Sequence, residues 1–161
     1  MSSSTSAIEE RLKRLEDRAE IEQLRADYCH LLDERRWPEF VDLFTPDGTF
    51  KGLAEAKGRG ELLTFFGKTV PSLGEGFWHF CTNGTVHIDG DRASGRISME
   101  YLSVKKGVSY VSAGHYDDHL VRIDGRWRFQ SRHLTFYYFA PLKEGFVGRP
   151  TRIDIHGRAL D

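Results

Sequence analysis

The chain lacks the features that define several large protein classes. It has only two cysteines, Cys29 and Cys81, among 161 residues, which excludes a disulfide framework and a C-x-x-C zinc pattern. A reducing cytoplasm is therefore the expected compartment. No run approaches eighteen apolar residues, so no membrane-spanning helix is predicted. The amino-terminal residues have no apolar stretch of the kind found in signal peptides, and none is expected.

Charge of one sign is not in excess either. The 23 basic and 24 acidic residues leave a formal net charge of −1, so we expect no nucleic-acid partner. P-loop, dinucleotide-binding, G-x-S-x-G and H-E-x-x-H motifs are all absent from the sequence. The histidines lack the spacing of a zinc or iron site, so neither a metal nor an organic cofactor is expected. What the chain does have is aromatic residues, 12% with 11 Phe, which line apolar ligand sites as well as cores.

Helical patterns come first along the chain. A polar tail at residues 1–6, expected to be disordered, precedes a single predicted domain at residues 7–161. Apolar residues recur at spacings of three and four from Ile8 to Leu31, with a change of register between Ala19 and Ile21. This pattern predicts either one bent helix or two helices ending near Arg35. Further helices are predicted from Trp37 and over residues 61–69.

Alternating patterns dominate the second half. A short strand is predicted at residues 49–52, and longer strands at residues 78–88, 94–104, 108–123 and 126–139, separated by Gly-containing turns. Helices followed by a meander of strands predict an α+β fold, with helices on one face of a curved antiparallel sheet.

Asp33 and His79 are the candidate reactive residues. Asp33 lies away from the middle of the polar side of its helix, one turn after Cys29, so it either acts as a base among small apolar neighbours or is a solvated carboxylate at a helix end. His79 lies between apolar residues at a strand start, which fits either a core histidine or a catalytic one. His115, Asp117 and His119 share one strand face, and we interpret them as a polar outer face rather than a metal site.

Two segments resemble a known family. The matching residues of the first segment are Ile21, Glu22, Gln23, Leu24, Tyr28, Leu32, Asp33, Trp37, Phe40, Leu43, Phe44, Thr45, Pro46 and Asp47. The second is the Leu-Val-Arg-Ile-Asp-Gly-Arg-Trp-Arg-Phe run at residues 120–129. In this order and spacing, the chain resembles the SnoaL-like proteins of the nuclear transport factor 2-like superfamily over residues 20–139.

The resemblance implies a cone-shaped sheet wrapped around N-terminal helices and an apolar internal pocket. Family members include dehydratases, a dehydrochlorinase, isomerases and polyketide cyclases, and others have no catalytic role. Asp33 matches the catalytic aspartate of the dehydratases and the dehydrochlorinase. His79 matches the dehydrochlorinase histidine, and Tyr28 matches a bile-acid dehydratase tyrosine. The second pocket histidine of scytalone dehydratase has no clear match, because the strand parity of His115 is wrong for it.

These residues lead to two classes of function. The first is a cofactor-independent lyase, isomerase or cyclase that acts on a small apolar, cyclic molecule. In it, either His79 is the base and Asp33 orients it, or Asp33 is the base and His79 the acid, with Tyr28 as a hydrogen-bond donor. The second is a non-catalytic ligand-binding or accessory-subunit domain. A homodimer or homotrimer is expected, a dimer being formed through the outer sheet face. The predicted pocket walls are Phe50, Phe66, Met99, Tyr101 and Tyr116.

Overall fold

A long helix opens the chain, and short helical segments follow between and after the strands. The computed structural model describes residues 2–52, 54–72 and 74–145. The helices are α1 (Ser2–Asp33), α2 (Trp37–Asp42), α3 (Gly58–Thr64) and α4 (Val70–Ser72), with a π-helical turn at Phe65–Thr69 and a 3₁₀ turn at Leu142–Glu144. Pro38 lies in the first turn of α2, where its missing N–H costs no helical hydrogen bond.

Seven strands form one curved, unclosed sheet. They are β1 (Phe44–Lys51), β2 (Glu55–Lys57), β3 (Gly76–Thr82), β4 (His87–Asp89), β5 (Arg92–Lys105), β6 (Val108–Ile123) and β7 (Arg126–Pro141). Their order is β2-β1-β7-β6-β5-β3, and β4 pairs with β5. Only the β1–β7 pairing within this described sheet is parallel. Register shifts at Ala113/Gly114 and His119/Leu120 interrupt the β6–β7 pairing and bend the long strands.

Gly114 is required at the first of these bends. A side-chain carbon built at this position would lie 2.1 Å from the backbone oxygen of Thr135, a distance that no packed structure tolerates. The absence of a side chain therefore lets β6 and β7 stay close where the sheet curves.

Helix α1 presents two apolar faces. Ile21, Leu24 and Tyr28 face the sheet and are buried, whereas Ile8, Leu12 and Leu15 are 65%, 53% and 58% exposed. The helical period places the two sets about 180° apart. The change of register in the sequence is thus a change of face on one continuous helix, and the alternatives of a bent helix or two helices are resolved in favour of one helix.

The predicted α+β class is confirmed, and the strand positions from residue 92 onward agree with the pattern to within about two residues. Three differences arise before residue 92. Strand β1 begins at Phe44, five residues before the predicted strand at residues 49–52, the segment at residues 78–88 is two strands, β3 and β4, and β2 had no prediction. Helix α1 already includes residues 2–6. No helix in the described ranges is long and apolar enough to cross a membrane. The part of the predicted domain after residue 145 lies outside the described residues.

Candidate functional site

The structure brings together the two residues that the sequence selects. Nδ1 of His79 lies 2.7 Å from Oδ1 of Asp33, and the backbone N–H of His79 donates to Oδ2 of the same carboxylate at 2.9 Å. Their side chains are only 8% and 19% exposed. Because an ionised carboxylate only accepts hydrogen bonds, the ring proton belongs on Nδ1. Nε2 makes no hydrogen bond within the described part of the chain and is available to accept a proton.

Two elements position this pair. Asp33 is the last residue of α1, and His79 lies in the middle of β3, the strand at one edge of the sheet. Along β3, His79 and Cys81 point toward the helix, whereas Trp78 and Phe80 point away and are about half exposed. Strand alternation therefore decides that His79 meets Asp33 and that its neighbours do not.

Aromatic rings pack around the imidazole. The ring of Tyr101 lies 4.8 Å from that of His79 between centroids, and the ring of Phe77 lies at 5.9 Å. Tyr101 is on β5, directly opposite His79 in the β3–β5 pairing. Burial raises the pKa of the Tyr101 phenol, so the phenol stays protonated and is a hydrogen-bond donor beside the histidine.

An open cleft of about 460 Å³ lies between α1 and the edge strand. Its helix side is lined by residues from Glu22 to His30, and its strand side by residues from His79 to Gly84. This volume is in the range of small-molecule sites. His79 forms part of the wall, so the cleft reaches one member of the Asp33–His79 pair.

Two free cysteines contact each other in the wall of this cleft. The Sγ atoms of Cys29 and Cys81 are 3.4 Å apart, and both residues line the cleft. Cys29 lies one helical turn before Asp33, and Cys81 lies two residues after His79 on the same strand face. The hydrogen bond between the thiols raises the pKa of Cys29 and lowers that of Cys81. Cys29 is therefore the donor in this pair and Cys81 the acceptor.

A charged cluster that the sequence analysis missed lies in the core. Asp118 accepts hydrogen bonds from Arg132 at 2.7 and 3.0 Å and from Arg25 at 2.9 Å, and none of the three side chains is more than 2% exposed. The Arg132 guanidinium also lies against the ring of Tyr28, at 4.1 Å. Burial disfavours its charge, but Asp118 outweighs this and raises the pKa of Arg132. Nη1 of Arg132 and Nη2 of Arg25 are buried without a hydrogen-bond partner among the described residues.

Tyr28 lies in this cluster rather than against the pair. Its ring packs on Phe40 and Tyr116, with centroids at 4.9 and 5.6 Å. The helical period separates it from Asp33 by about 140°, and burial raises the pKa of its phenol. The donor role assigned to Tyr28 stays a prediction.

The other predicted pocket walls are buried core residues. Phe50, Phe66, Met99 and Tyr116 are each at most 3% exposed. Phe50 and Phe66 contact each other at 4.9 Å between ring centroids. Of the five predicted wall residues, Tyr101 is the one whose ring contacts His79 in the described structure. Ligand contact by any of them, and the enclosed apolar pocket itself, remain predictions.

The polar strand face at His115 carries local hydrogen bonds. His115 bonds to the hydroxyl of Tyr137 at 2.9 Å and to Asp117 at 3.1 Å, and Arg96 pairs with Asp117. Asp118, one residue further, points to the opposite face into the core. Within residues 2–52, 54–72 and 74–145, no group of three or more His, Cys, Asp or Glu side chains could hold a metal ion.

Relatives of known sequence share most of the chain. An uncharacterized protein of Mycobacterium tuberculosis is 31% identical over 124 residues, which cover 73% of this chain and 84% of that protein. The gamma-hexachlorocyclohexane dehydrochlorinase of Sphingobium indicum is 26% identical over 136 residues, which cover 81% of this chain and 87% of the enzyme.

Solved structures share the fold. The crystal structure of LinA has a TM-score of 0.77 at 25% identity and covers 81% of this chain and 92% of its own. A putative scytalone dehydratase from Novosphingobium aromaticivorans has a TM-score of 0.73 at 22% identity, over 80% of this chain and 89% of its own. The family model described as a SnoaL-like domain matches residues 13–133. The chain therefore belongs to the SnoaL-like domain family of the nuclear transport factor 2-like superfamily.

Proposed function

We propose that the protein is a cofactor-independent lyase or isomerase in which His79 removes a proton from carbon in a small apolar, cyclic substrate. The observation that carries this proposal is the double hydrogen bond from His79 to the Asp33 carboxylate. Both carboxylate oxygens are engaged, so Asp33 serves better to orient the imidazole than to act as the base itself. The free Nε2 is then the proton acceptor.

The proposed reaction begins with proton removal by the imidazole. Nε2 of His79 takes a proton from a carbon whose neighbour carries a leaving group or a carbonyl. When halide leaves, the imidazolium proton then passes to solvent. When a hydroxyl leaves, it takes the imidazolium proton and departs as water, and in an isomerisation the imidazolium returns the proton to another carbon as the double bond shifts. Asp33 stabilises the imidazolium that forms, and no metal or organic cofactor is needed. The dehydrochlorinase relative, which covers most of the chain, supports elimination as the first reaction class to test.

The test begins with a screen of cyclic halo, hydroxy and keto compounds, scored by halide release and by ultraviolet absorbance. For a compound that is turned over, His79→Ala should abolish turnover while ligand affinity stays within a few-fold, because apolar contacts supply most of the binding. Asp33→Asn should lower kcat by about a hundredfold or more, equivalent to about 2.7 kcal/mol of barrier. His87→Ala is the matched control, since His87 is exposed on β4 and should leave the rate unchanged.

The pH dependence of kcat separates the two assignments of roles. If neutral His79 is the base, the rate falls toward acid pH, because an imidazolium cannot accept a proton. If Asp33 is the base and protonated His79 the acid, the rate falls at high pH instead.

The same experiment tests the non-catalytic alternative. Wild-type rates in both the His79 and Asp33 variants would show that the pair is structural. Compounds that bind equally to wild type and His79→Ala, with no turnover by either, would assign the chain to the ligand-binding class.

A further inference from the structure

We propose that Cys29 and Cys81 form a reactive dithiol, which low-molecular-weight disulfides such as glutathione disulfide oxidise to an internal disulfide, with Cys81 as the attacking residue. The proposal is independent of the reaction assigned to His79.

Geometry is the first support. The two Sγ atoms are 3.4 Å apart although the residues are separated by 52 positions in sequence. A disulfide bond is about 2.05 Å long, so the sulfurs need to approach by only about 1.4 Å. One partner is on helix α1 and the other on β3 at the sheet edge. An edge strand is bonded to the sheet on one side only, and it can shift toward the helix with fewer broken hydrogen bonds than an inner strand.

Access is the second support. Both cysteines line the cleft of about 460 Å³ between α1 and β3, and Cys81 is partly exposed whereas Cys29 is buried. A small disulfide entering the cleft therefore meets Cys81 first. The thiol of Cys29 donates to Cys81 and lowers its pKa, which favours the thiolate that attacks disulfides.

The chemistry proceeds in two balanced steps. The Cys81 thiolate attacks one sulfur of glutathione disulfide, which forms a mixed disulfide and releases one glutathione thiolate. The thiol of Cys29 then loses its proton to that thiolate or to water and attacks the Cys81 sulfur, which releases the second glutathione. The protein is oxidised by two electrons, and one glutathione disulfide is reduced to two glutathione molecules.

The product would link the elements that hold the Asp33–His79 pair. Cys29 precedes Asp33 by one helical turn, and Cys81 follows His79 by two residues on the same strand face. The disulfide would therefore fix α1 against β3 beside the pair and narrow the cleft between them.

The test uses the full-length protein in glutathione buffers of graded redox ratio. Remaining thiols are trapped with iodoacetamide and the intact mass is measured. The wild type should lose two hydrogen atoms and take up no alkyl group, and peptide mapping should locate the bond between Cys29 and Cys81, since the sequence has no other cysteine. Cys29→Ser should stop at the glutathione adduct on Cys81. Cys81→Ser should react at least tenfold more slowly than Cys29→Ser.

Several results would overturn the proposal. One such result is that the folded wild type keeps both thiols reduced in oxidising buffers, although the same buffers form the disulfide in the chain unfolded by denaturant. Equal rates of adduct formation in the two single variants would overturn the assignment of Cys81 as the attacking thiol.

Cys29→Ala and Cys81→Ala provide a second pair of variants, and circular dichroism establishes that each is folded. A disulfide between chains would appear as a doubled mass and would also count against the internal bond.

Discussion

Asp118 holds two buried arginine side chains in the core. Its carboxylate is bidentate to Arg132 and accepts a third bond from Arg25. Two cations share one anion, so the cluster carries a net positive charge away from water. Such a charge is costly unless its partner is present.

Removing the charge of Asp118 should therefore lower the stability of the fold strongly. We expect Asp118→Asn to lower the free energy of unfolding by about 3–5 kcal/mol, because two buried guanidinium groups lose their anion. Asp117→Asn is the matched control. Asp117 is also bidentate to an arginine but is 39% exposed, so its loss should cost less than about 1 kcal/mol. Urea unfolding of the three proteins measures both values. Equal losses in the two variants would contradict the assignment of the stabilisation to burial.

The Asp33 carboxylate is held differently from that of Asp118. The carboxylate is bound by one backbone and one side-chain donor, and it lies at a helix end beside a cleft rather than in the core. Its hydrogen bonds hold the imidazole in one orientation and one tautomer while Nε2 remains unbonded within the described residues. The difference between the two aspartates is thus one of access: Asp118 is enclosed by its partners, and the histidine held by Asp33 borders open space.

Polar contacts near its middle and at its end fix helix α1 to the sheet, in addition to the buried bond from Arg25 to Asp118. Near its middle, Asp17 binds Arg122 at 2.6 Å, and Glu20 accepts the backbone N–H of Trp127. At its end, Asp33 binds His79. These contacts reach different parts of the sheet, since β3 is an edge strand and β6 and β7 are inner strands. The helix therefore spans the sheet and sets the position of Asp33 relative to β3.

The contact between Asp17 and Arg122 should make the free energy of unfolding depend on pH in the acid range. The hydrogen bond from Arg122 lowers the pKa of Asp17 to about 2, below the value of about 3.9 for an unfolded aspartate. Its contribution to the free energy of unfolding, about 2 kcal/mol, is complete above the unfolded pKa and is lost as the pH falls toward the folded pKa. Asp17→Asn should thus be less stable than wild type at pH 7, and the difference should shrink between about pH 5 and pH 2.

Asp91→Asn is the control for this measurement. Asp91 pairs with the same Arg122 at 2.9 Å but is 77% exposed, so its removal should change stability by less than about 1 kcal/mol. Unfolding free energies at a series of pH values give the comparison. A wild type and Asp17→Asn whose curves run parallel down to pH 2 would show that Asp17 is not the group that titrates.

Apolar side chains are exposed at several places among the described residues, and two of these places carry neighbouring apolar side chains. One is the stripe of Ile8, Leu12 and Leu15 on α1, and the other is Trp78 and Phe80 on the outer side of β3. The homo-oligomer that the sequence predicts remains a prediction, as does a cytoplasmic location. Light scattering at low micromolar concentration should give at least twice the 18.5 kDa of one chain, and a value of 18.5 kDa would contradict it.

Much of the architecture follows from local patterns. The periods of three and four before Arg35 and of two after residue 92 predict the helices and long strands, because each element must turn its apolar side to a common core. The middle of the chain was predicted less well. The segment at residues 78–88 was predicted as one strand, but β3 and β4 both pair with β5, and residues 83–86 between them are not in strand conformation. Asn83 has a φ of 56° at this break, a left-handed conformation that the alternation of residue types does not reveal.

The candidate pair Asp33 and His79 was selected from sequence, since helical position and family motifs both mark these residues. What only the tertiary structure decided is which distant groups meet. Asp117 and Asp118 are adjacent aspartates on β6 whose side chains point to opposite faces of the sheet. Asp117 therefore forms a surface ion pair with Arg96, whereas Asp118 is the anion of the buried cluster. Nothing in the sequence relates Cys29 to Cys81, and the two thiols meet only because α1 packs against β3. A local pattern records which side of an element is apolar, whereas register and packing determine what that side touches.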